Sequence, residues 1–138
     1  VLISGVGTGG TITGIGKYLK EKNPKIEVVA VEPITSAVLS GEKAGKHGLQ
    51  GIGAGFIPNV LDTTIYDRIV KITDEEAYEY GRLIGTKEGF LVGISSGAAL
   101  AAAAKISQEE KYQNKTIVVI LPDSGDRYLS TKLFNKGL

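Results

Sequence analysis

The chain has 138 residues, of which 42% are hydrophobic and 22% are charged, and its formal net charge is +1. This composition is that of one ordinary globular domain, and it gives no reason to expect nucleic acid or a membrane surface as a partner. The absence of cysteine excludes disulfides and thiolate metal sites and is compatible with a cytosolic location. No apolar run is long enough to span a bilayer.

Strands and helices alternate from the first residue onward. The apolar run that begins at Val1 predicts a buried strand, and residues 11–22 predict a helix with one apolar face. Residues 26–31 predict a second buried strand. A strand, a helix and a strand within about thirty residues predict a βαβ unit with a parallel sheet and a right-handed crossover.

The alternation resumes after a long loop. Residues 35–58 show no period and contain many glycines, which is typical of a functional loop. Residues 65–72 predict a strand, and Thr73 with Glu76 forms a capping box for a helix that closes at Gly89. Three more elements are predicted: an alanine-rich helix from Ser95 to near Ser107, a strand at 116–121 and a terminal helix at 127–134. The predicted fold class is α/β, with a doubly wound, mostly parallel sheet flanked by helices.

The turn after the first strand predicts an anion site. Gly7, Gly9 and Gly10 lack a Cβ, so the backbone can turn sharply and approach a ligand closely. The following helix begins with unpaired N–H groups at its positive end, which favours phosphate. Gly5, Gly7 and Gly10 also spell the dinucleotide fingerprint G-x-G-x-x-G, and Glu32 ends the next strand, where a ribose-binding acid would lie. A dinucleotide-binding module therefore stays open, as does a turn that only packs the helix on the strand.

A second glycine motif spells G-x-S-x-G at Gly93, Ser95 and Gly97, as in the nucleophile elbow of a hydrolase. That fold needs an acid and a histidine downstream of the serine, and the only histidine, His47, lies upstream. The hydrolase hypothesis therefore fails unless a base comes from outside this chain. His47 itself is interpreted as a loop residue, because no metal-ligand spacing surrounds it.

Four segments together closely resemble the O-acetylserine sulfhydrylase (cysteine synthase) family of type II pyridoxal-phosphate enzymes. They cover nearly the whole chain, in the family's order and with similar spacing. They correspond only to the C-terminal half of that family's polypeptide. The segments are GVGTGGT at 5–11, QGIGAGFIP at 50–58, GISSGAA at 93–99 and LPDSGDRYLST at 121–131.

The resemblance implies a binding site for pyridoxal 5'-phosphate, with the fold of the family's large cofactor-binding domain. It makes Gly7, Thr8, Gly9, Gly10 and Thr11 the cradle of the cofactor phosphate. The hydroxyls of Thr8 and Thr11 would serve as extra donors. This implication agrees with the anion site that the backbone argument predicts.

The resemblance also assigns residues to the cofactor ring and the substrate. It places the Ser95 hydroxyl at the pyridine nitrogen, and a hydroxyl at the positive end of a helix should leave that nitrogen neutral. A neutral nitrogen suits β-elimination and β-replacement better than transamination. Gly51 would lie in the loop beside the substrate, where a side chain would obstruct it. Ser124 is a less certain candidate near the ring edge.

The implied function is a transferase reaction that forms L-cysteine from O-acetylserine and sulfide. The family works in the cytoplasm, usually as a homodimer, and can bind serine acetyltransferase. Its Schiff-base lysine lies in the N-terminal half, so no catalytic residue is expected in this chain. Residues 1–138 are therefore predicted to be the C-terminal domain of a two-domain enzyme and to be inactive alone. Cystathionine β-synthase and related members share the phosphate cradle, which leaves the choice among β-substituted serines open.

Overall fold

Aliphatic and β-branched runs form one parallel sheet in the computed structural model, which describes residues 1–135. The strands are β1 (Leu2–Gly5), β2 (Val28–Pro33), β3 (Arg68–Ile72) and β4 (Val118–Val119), in the order β3-β2-β1-β4. Leu2 pairs in parallel with Val28 on one side and with Val118 on the other. Every residue of β2 is buried, which explains why its first four residues, 28–31, are continuously apolar rather than alternating.

Three helices cover the two faces of this sheet. They are α1 (Gly10–Lys22), α2 (Asp74–Glu88) and α3 (Ile94–Ser107). Successive strand residues point to opposite faces, so Val28 packs with Ile12 of α1, whereas Val29 packs with the cluster that includes Ala77 of α2 and Ala98 of α3. Helices on both faces of a parallel sheet confirm the doubly wound α/β fold class.

The predicted capping box begins α2. The Thr73 hydroxyl accepts from the Glu76 N–H at 3.1 Å, and the Thr73 N–H donates to the Glu76 carboxylate at 2.8 Å. The same carboxylate pairs with Lys105 of α3 at 2.7 Å, which ties the two helices together. Burial alone would raise the pKa of Glu76, but the hydrogen bonds from Lys105 and Thr73 outweigh it and hold the pKa below its usual value.

Several predicted boundaries are wrong where a distant partner decides them. β2 begins at Val28 and β3 at Arg68, because Asp67 turns the chain there: its N–H donates to the Val28 carbonyl and its carboxylate accepts from the Val28 N–H. β4 has two residues instead of six because only Val118 and Val119 pair with β1. The terminal helix predicted at 127–134 is replaced by a short 3-10 helix at Gly125–Tyr128. Farther along, the Arg82 side chain occupies the carbonyls of residues 132 and 133.

The predicted loop at 35–58 contains two short 3-10 turns, Ile34–Ser36 and Val38–Ser40, and no further helix or strand before β3. Gly51 and Gly53 in this loop have φ of +95° and +65°, a region that favours glycine. Within residues 1–135, no helix combines the length and the apolar character needed to cross a membrane.

Gly97 allows α3 to cross α2 at close range. A Cβ at Gly97 would overlap the carbonyl oxygen of Ala77, whereas a Cβ at Gly14 in α1 would meet no atom within 4 Å. We expect Gly97→Ala to lower the free energy of unfolding by about 1–3 kcal/mol through overpacking. The matched control Gly14→Ala should raise it by about 0.5–1 kcal/mol, since alanine favours a helix. Urea unfolding of both variants measures the difference, and equal effects would contradict the close crossing.

Candidate functional site

A cleft opens at the carboxyl ends of β1 and β4. β1 continues through α1 to β2 on one side, whereas the chain returns through α2 and α3 to β4 on the other side. The crossovers therefore diverge between β1 and β4, and such a switch point is where open parallel sheets bind ligands. The cleft has a volume of about 240 Å³, and Ile120 and Pro122, which follow β4, line one wall.

The turn between β1 and α1 forms the opposite wall. Four of the five predicted cradle residues line the cleft: Gly7, Thr8, Gly9 and Thr11. The fifth, Gly10, is the first residue of α1, and its N–H lies 3.5 Å from the Thr8 hydroxyl oxygen. The residues of this turn, including both threonines, therefore border one small space.

The N-terminus of α1 has no acidic partner. Its N-cap is Gly9, without a side-chain hydrogen bond, and its first turn contains no acidic residue. By contrast, α2 begins with the Thr73 capping box and has three acidic residues in its first turn. No carboxylate lines the cleft among the residues that the structure describes. The positive end of α1 is thus left open for an anion.

Two glycines of the turn have no room for a side chain. A Cβ at Gly7 would lie 2.5 Å from the carbonyl oxygen of Gly51, so the two main chains touch. Gly9 has a φ of +90°, and its Cβ would lie 2.5 Å from the Leu61 Cβ. Packing against Leu61 excludes a side chain at Gly9, whereas the carbonyl of Gly51, a residue that lines the cleft, excludes one at Gly7.

Gly51 lies between the turn and the start of α3. The position of a Cβ at Gly51 is 3.8 Å from the Ser95 hydroxyl oxygen. Ser95 is only 3% exposed, and its hydroxyl makes no hydrogen bond within residues 1–135. The structure therefore brings Gly7, Gly51 and Ser95 together from three distant parts of the chain. Ser95 itself is not among the residues that line the cleft.

Ser124, the less certain candidate, does not line the cleft. Its side chain is exposed, and its main chain forms an isolated antiparallel bridge with Val92. A role at the ring edge stays a prediction for this residue.

Asp123, which sequence reasoning missed, caps α3 from outside the helix. Its Oδ1 accepts from the Ser96 N–H at 3.2 Å and from the Ser96 hydroxyl at 2.5 Å. Within residues 1–135, its Oδ2 is buried without a hydrogen-bond partner. Burial, and then this carboxylate, raise the pKa of Tyr128. The available signal was the glycine N-cap at Gly93, which has no side chain to satisfy the first turn.

Glu32 does not support the dinucleotide alternative. The side chain is 3% exposed, and one carboxylate oxygen accepts from the Leu39 N–H at 2.8 Å. The other accepts from the Ser40 N–H at 3.0 Å and from the Ser40 hydroxyl at 2.5 Å. Glu32 thus holds a 3-10 turn of its own chain and is not free to bind a ribose.

A larger surface cavity of about 730 Å³ lies elsewhere. It is formed by the second half of α2 and by exposed apolar residues that follow it, including Phe90 and Leu91. Among its described lining residues, none is the first residue of an α-helix, so it lacks the open helix N-terminus of the smaller cleft. Size alone does not mark the functional site here.

Asp123→Ala tests the cap on α3. We expect it to lower the free energy of unfolding by about 0.5–2 kcal/mol, the usual cost of losing an N-cap acceptor. Asp126→Ala is the matched control, because Asp126 is an exposed carboxylate three residues along, and its effect should stay within about 0.5 kcal/mol. Denaturant unfolding gives both values. Equal losses in the two variants would show that Asp123 does not cap the helix.

Comparison with known proteins places the chain among cofactor-dependent enzymes. Residues 1–123 match the family model described as pyridoxal-phosphate dependent enzyme. The chain is 58% identical over 144 residues to the cysteine synthase of Buchnera aphidicola subsp. Schizaphis graminum, an alignment that covers 99% of this chain and 45% of that protein.

Solved structures show the same similarity. The cysteine synthase (OASS) of Entamoeba histolytica superposes with a TM-score of 0.94 at 45% identity, over 96% of this chain and 39% of that one. O-ureido-L-serine synthase superposes with a TM-score of 0.93 at 37% identity, over 99% of this chain and 43% of that one. The chain spans less than half the length of each of these proteins.

Proposed function

Because the chain belongs to the pyridoxal-phosphate dependent enzyme family, we propose that it is the cofactor-binding part of a cysteine synthase. The proposed reaction forms L-cysteine from O-acetylserine and sulfide, by β-replacement. One observation carries the proposal. The N-terminus of α1 borders a glycine-lined cleft without a capping side chain, and the Ser95 hydroxyl, 3.8 Å from the Cβ position of Gly51 in the same cleft, makes no hydrogen bond within residues 1–135. The name and the 58% identity of the Buchnera relative support the choice of reaction.

The cleft fits the phosphate of the cofactor. The uncapped N–H groups at the start of α1 are donors, and the Thr8 and Thr11 hydroxyls that line the same space can donate as well. Gly7 leaves the space that a Cβ would fill. We therefore assign residues 7–11 to hold the phosphate.

Ser95 fits the cofactor ring as a neutral hydrogen-bond donor. Ser95 is 3% exposed and its hydroxyl makes no hydrogen bond within residues 1–135, so the hydroxyl is available to donate to a ligand acceptor. Asp123 offsets part of the positive charge at the same helix end, so the helix dipole alone is a weaker reason for a neutral ring nitrogen. The stronger reason is that Ser95 supplies a hydroxyl where a carboxylate would hold a proton on the nitrogen. When bound, pyridoxal phosphate acts as an electron sink for bond changes in an amino-acid substrate.

The substrate is assigned less directly than the cofactor. Gly51 presents no side chain beside Ser95, which leaves room for a substrate in the loop region. O-ureido-L-serine synthase has the same fold, so the fold does not select among β-substituted serines, and a cystathionine β-synthase type of activity is the alternative. The catalytic lysine is proposed to come from outside residues 1–138. A homodimer, a complex with serine acetyltransferase and a cytoplasmic location stay predictions.

Gly7→Ala tests the phosphate cradle in the full-length protein. The added Cβ would push against the Gly51 carbonyl, and a clash of 1.4 kcal/mol corresponds to a roughly tenfold loss of affinity for pyridoxal phosphate. Gly14→Ala in α1, where a Cβ meets no atom within 4 Å, is the matched control and should bind like the wild type. Absorbance titration with pyridoxal phosphate, and separately with NAD, measures both variants. Tight binding of NAD without binding of pyridoxal phosphate would favour the dinucleotide alternative.

Ser95→Asp tests the contact with the ring. A carboxylate at this position should favour a protonated ring nitrogen, shift the absorption of the bound cofactor and lower turnover by roughly tenfold or more. Ser95→Ala removes the hydroxyl without adding charge, so it should lower turnover with a smaller spectral shift. Wild-type spectra and kinetics in Ser95→Asp would refute the assignment.

A further inference from the structure

His47 is the only histidine of the chain, and it lies four residues before Gly51. Its Nε2 is 2.7 Å from the carbonyl oxygen of Gly53. Its Nδ1 accepts from the N–H of Leu49 at 3.1 Å. The imidazole therefore joins both ends of the segment 49–53, which carries Gly51 at its centre.

These two contacts define the tautomer of the ring. A carbonyl oxygen can only accept, so Nε2 must carry a hydrogen, and a backbone N–H can only donate, so Nδ1 must be bare. A proton added at Nδ1 would place two donors against each other and break the bond to Leu49. The ring thus bridges the segment only in its neutral Nε2–H form.

The segment 49–53 forms one wall of the cleft. The carbonyl of Gly51 meets Gly7, and the N–H of Gly53 donates to the Val6 carbonyl at 3.1 Å. The segment has no helix or strand of its own. Two of its five residues, Gly51 and Gly53, are glycines with positive φ, so the backbone is costly to order without outside contacts.

The preceding residues are anchored independently. The N–H of Gly48 donates to the Asp74 carboxylate at 2.8 Å, and the Thr35 hydroxyl donates to the Lys46 carbonyl at 2.6 Å. Loss of the imidazole contacts would therefore loosen 49–53 while the base of the loop stays attached.

Few ionisable groups face this region. Asp74 and the Tyr78 phenol reach Gly48 from α2, and Lys46 precedes His47 along the chain. Burial, and then the charges of Asp74 and Glu75, raise the pKa of Tyr78, so the phenol stays neutral below its usual range. From the 34–36 turn, the neutral hydroxyls of Thr35 and Ser36 make the contacts. Among residues 1–135, the charged groups named around this region are thus the carboxylates of Asp74 and Glu75 on α2 and the ammonium of Lys46.

We propose that His47 is the positioning residue that holds the Gly51 wall of the cleft through its neutral Nε2–H tautomer, and that a proton at Nδ1 releases this wall. The proposal rests on the proposed function, because it takes the cleft to be the site of pyridoxal phosphate. His47 acts through the loop and touches neither phosphate nor ring. Acid therefore lowers the affinity of the cleft for pyridoxal phosphate through the loss of the His47 contact to Leu49, in addition to any effect of the cofactor's own charge.

Two substitutions separate the two contacts. In His47→Gln, the amide nitrogen can take the place of Nε2 and donate to the Gly53 carbonyl, but no acceptor then stands at the position of Nδ1, close to the ring's attachment, to receive the Leu49 N–H. In His47→Asn, the side-chain oxygen can accept from Leu49 but does not reach Gly53. Neither amide gains a proton between about pH 5 and 8, the range in which imidazole titrates.

The first measurement is the affinity of the full-length protein for pyridoxal phosphate across this range. Both variants should bind roughly tenfold more weakly than the wild type at neutral pH, and their affinity should fall less steeply on acidification. The titration of the cofactor itself is common to all three proteins and cancels in the comparison. Wild-type affinity and an unchanged pH profile in both variants would overturn the proposal.

The second measurement needs no cofactor. Nitrogen-15 NMR of the imidazole, identified by its loss in His47→Asn, should show the Nε2–H tautomer at neutral pH. The protection of the Leu49 and Gly53 amides against hydrogen exchange, corrected for the pH dependence of the intrinsic exchange rate, should be lower in acid and in the variants. An Nδ1–H tautomer would also overturn the proposal, as would amide protection at Leu49 and Gly53 that is the same in the wild type and in both His47 variants. If the wild type fails to bind pyridoxal phosphate while these signals are as expected, the proposed function fails and the positioning role stands.

Discussion

The contact between the main chains of Gly7 and Gly51 is the constraint on which the site depends. It joins the turn after β1 to the loop that follows β2. The Ser95 hydroxyl of α3 lies 3.8 Å from the position of a Cβ at Gly51. Each segment comes from a different part of the chain, so the cleft exists only because the parallel sheet places strand ends at one edge. A side chain at Gly7 would separate the first two segments without disturbing either one locally.

The three helices begin in three different ways, and the difference assigns their roles. Thr73 and Glu76 close the start of α2 with neighbours in the sequence, whereas Asp123 closes α3 from a remote turn. Of the three α-helices, only α1 begins without a hydrogen bond to a carboxylate within residues 1–135. Capped helix ends contribute stability, and an uncapped one can bind an anion. The proposed anion site is therefore marked by a missing local partner.

Local signals in the sequence were enough to predict most of the fold. The period of α1, the Thr73 capping box and the buried run of β2 each depend on neighbouring residues, and all were predicted with small shifts in their ends. The ends of β4 and the absence of a terminal helix depend on distant partners such as Arg82, which no local pattern reveals. The same reason hid Asp123 and the two contacts of His47. The glycine turn between β1 and α1 was predictable because a strand, glycines and a helix are adjacent in sequence, whereas its role as a phosphate cradle stays a prediction.

The pairing of β1 with β4 has a consequence for how the chain reaches its fold. β1 is an inner strand whose second neighbour is β4: Leu2 pairs with Val118, and the backbone nitrogen of Val1 donates to the Thr116 carbonyl at 3.0 Å. This pairing joins residues that are far apart in sequence, and such long-range contacts slow the folding of a sheet. An apolar strand edge that waits for a distant partner is prone to pair with another chain. The two residues of β4 therefore protect the buried strand β1 from such pairing.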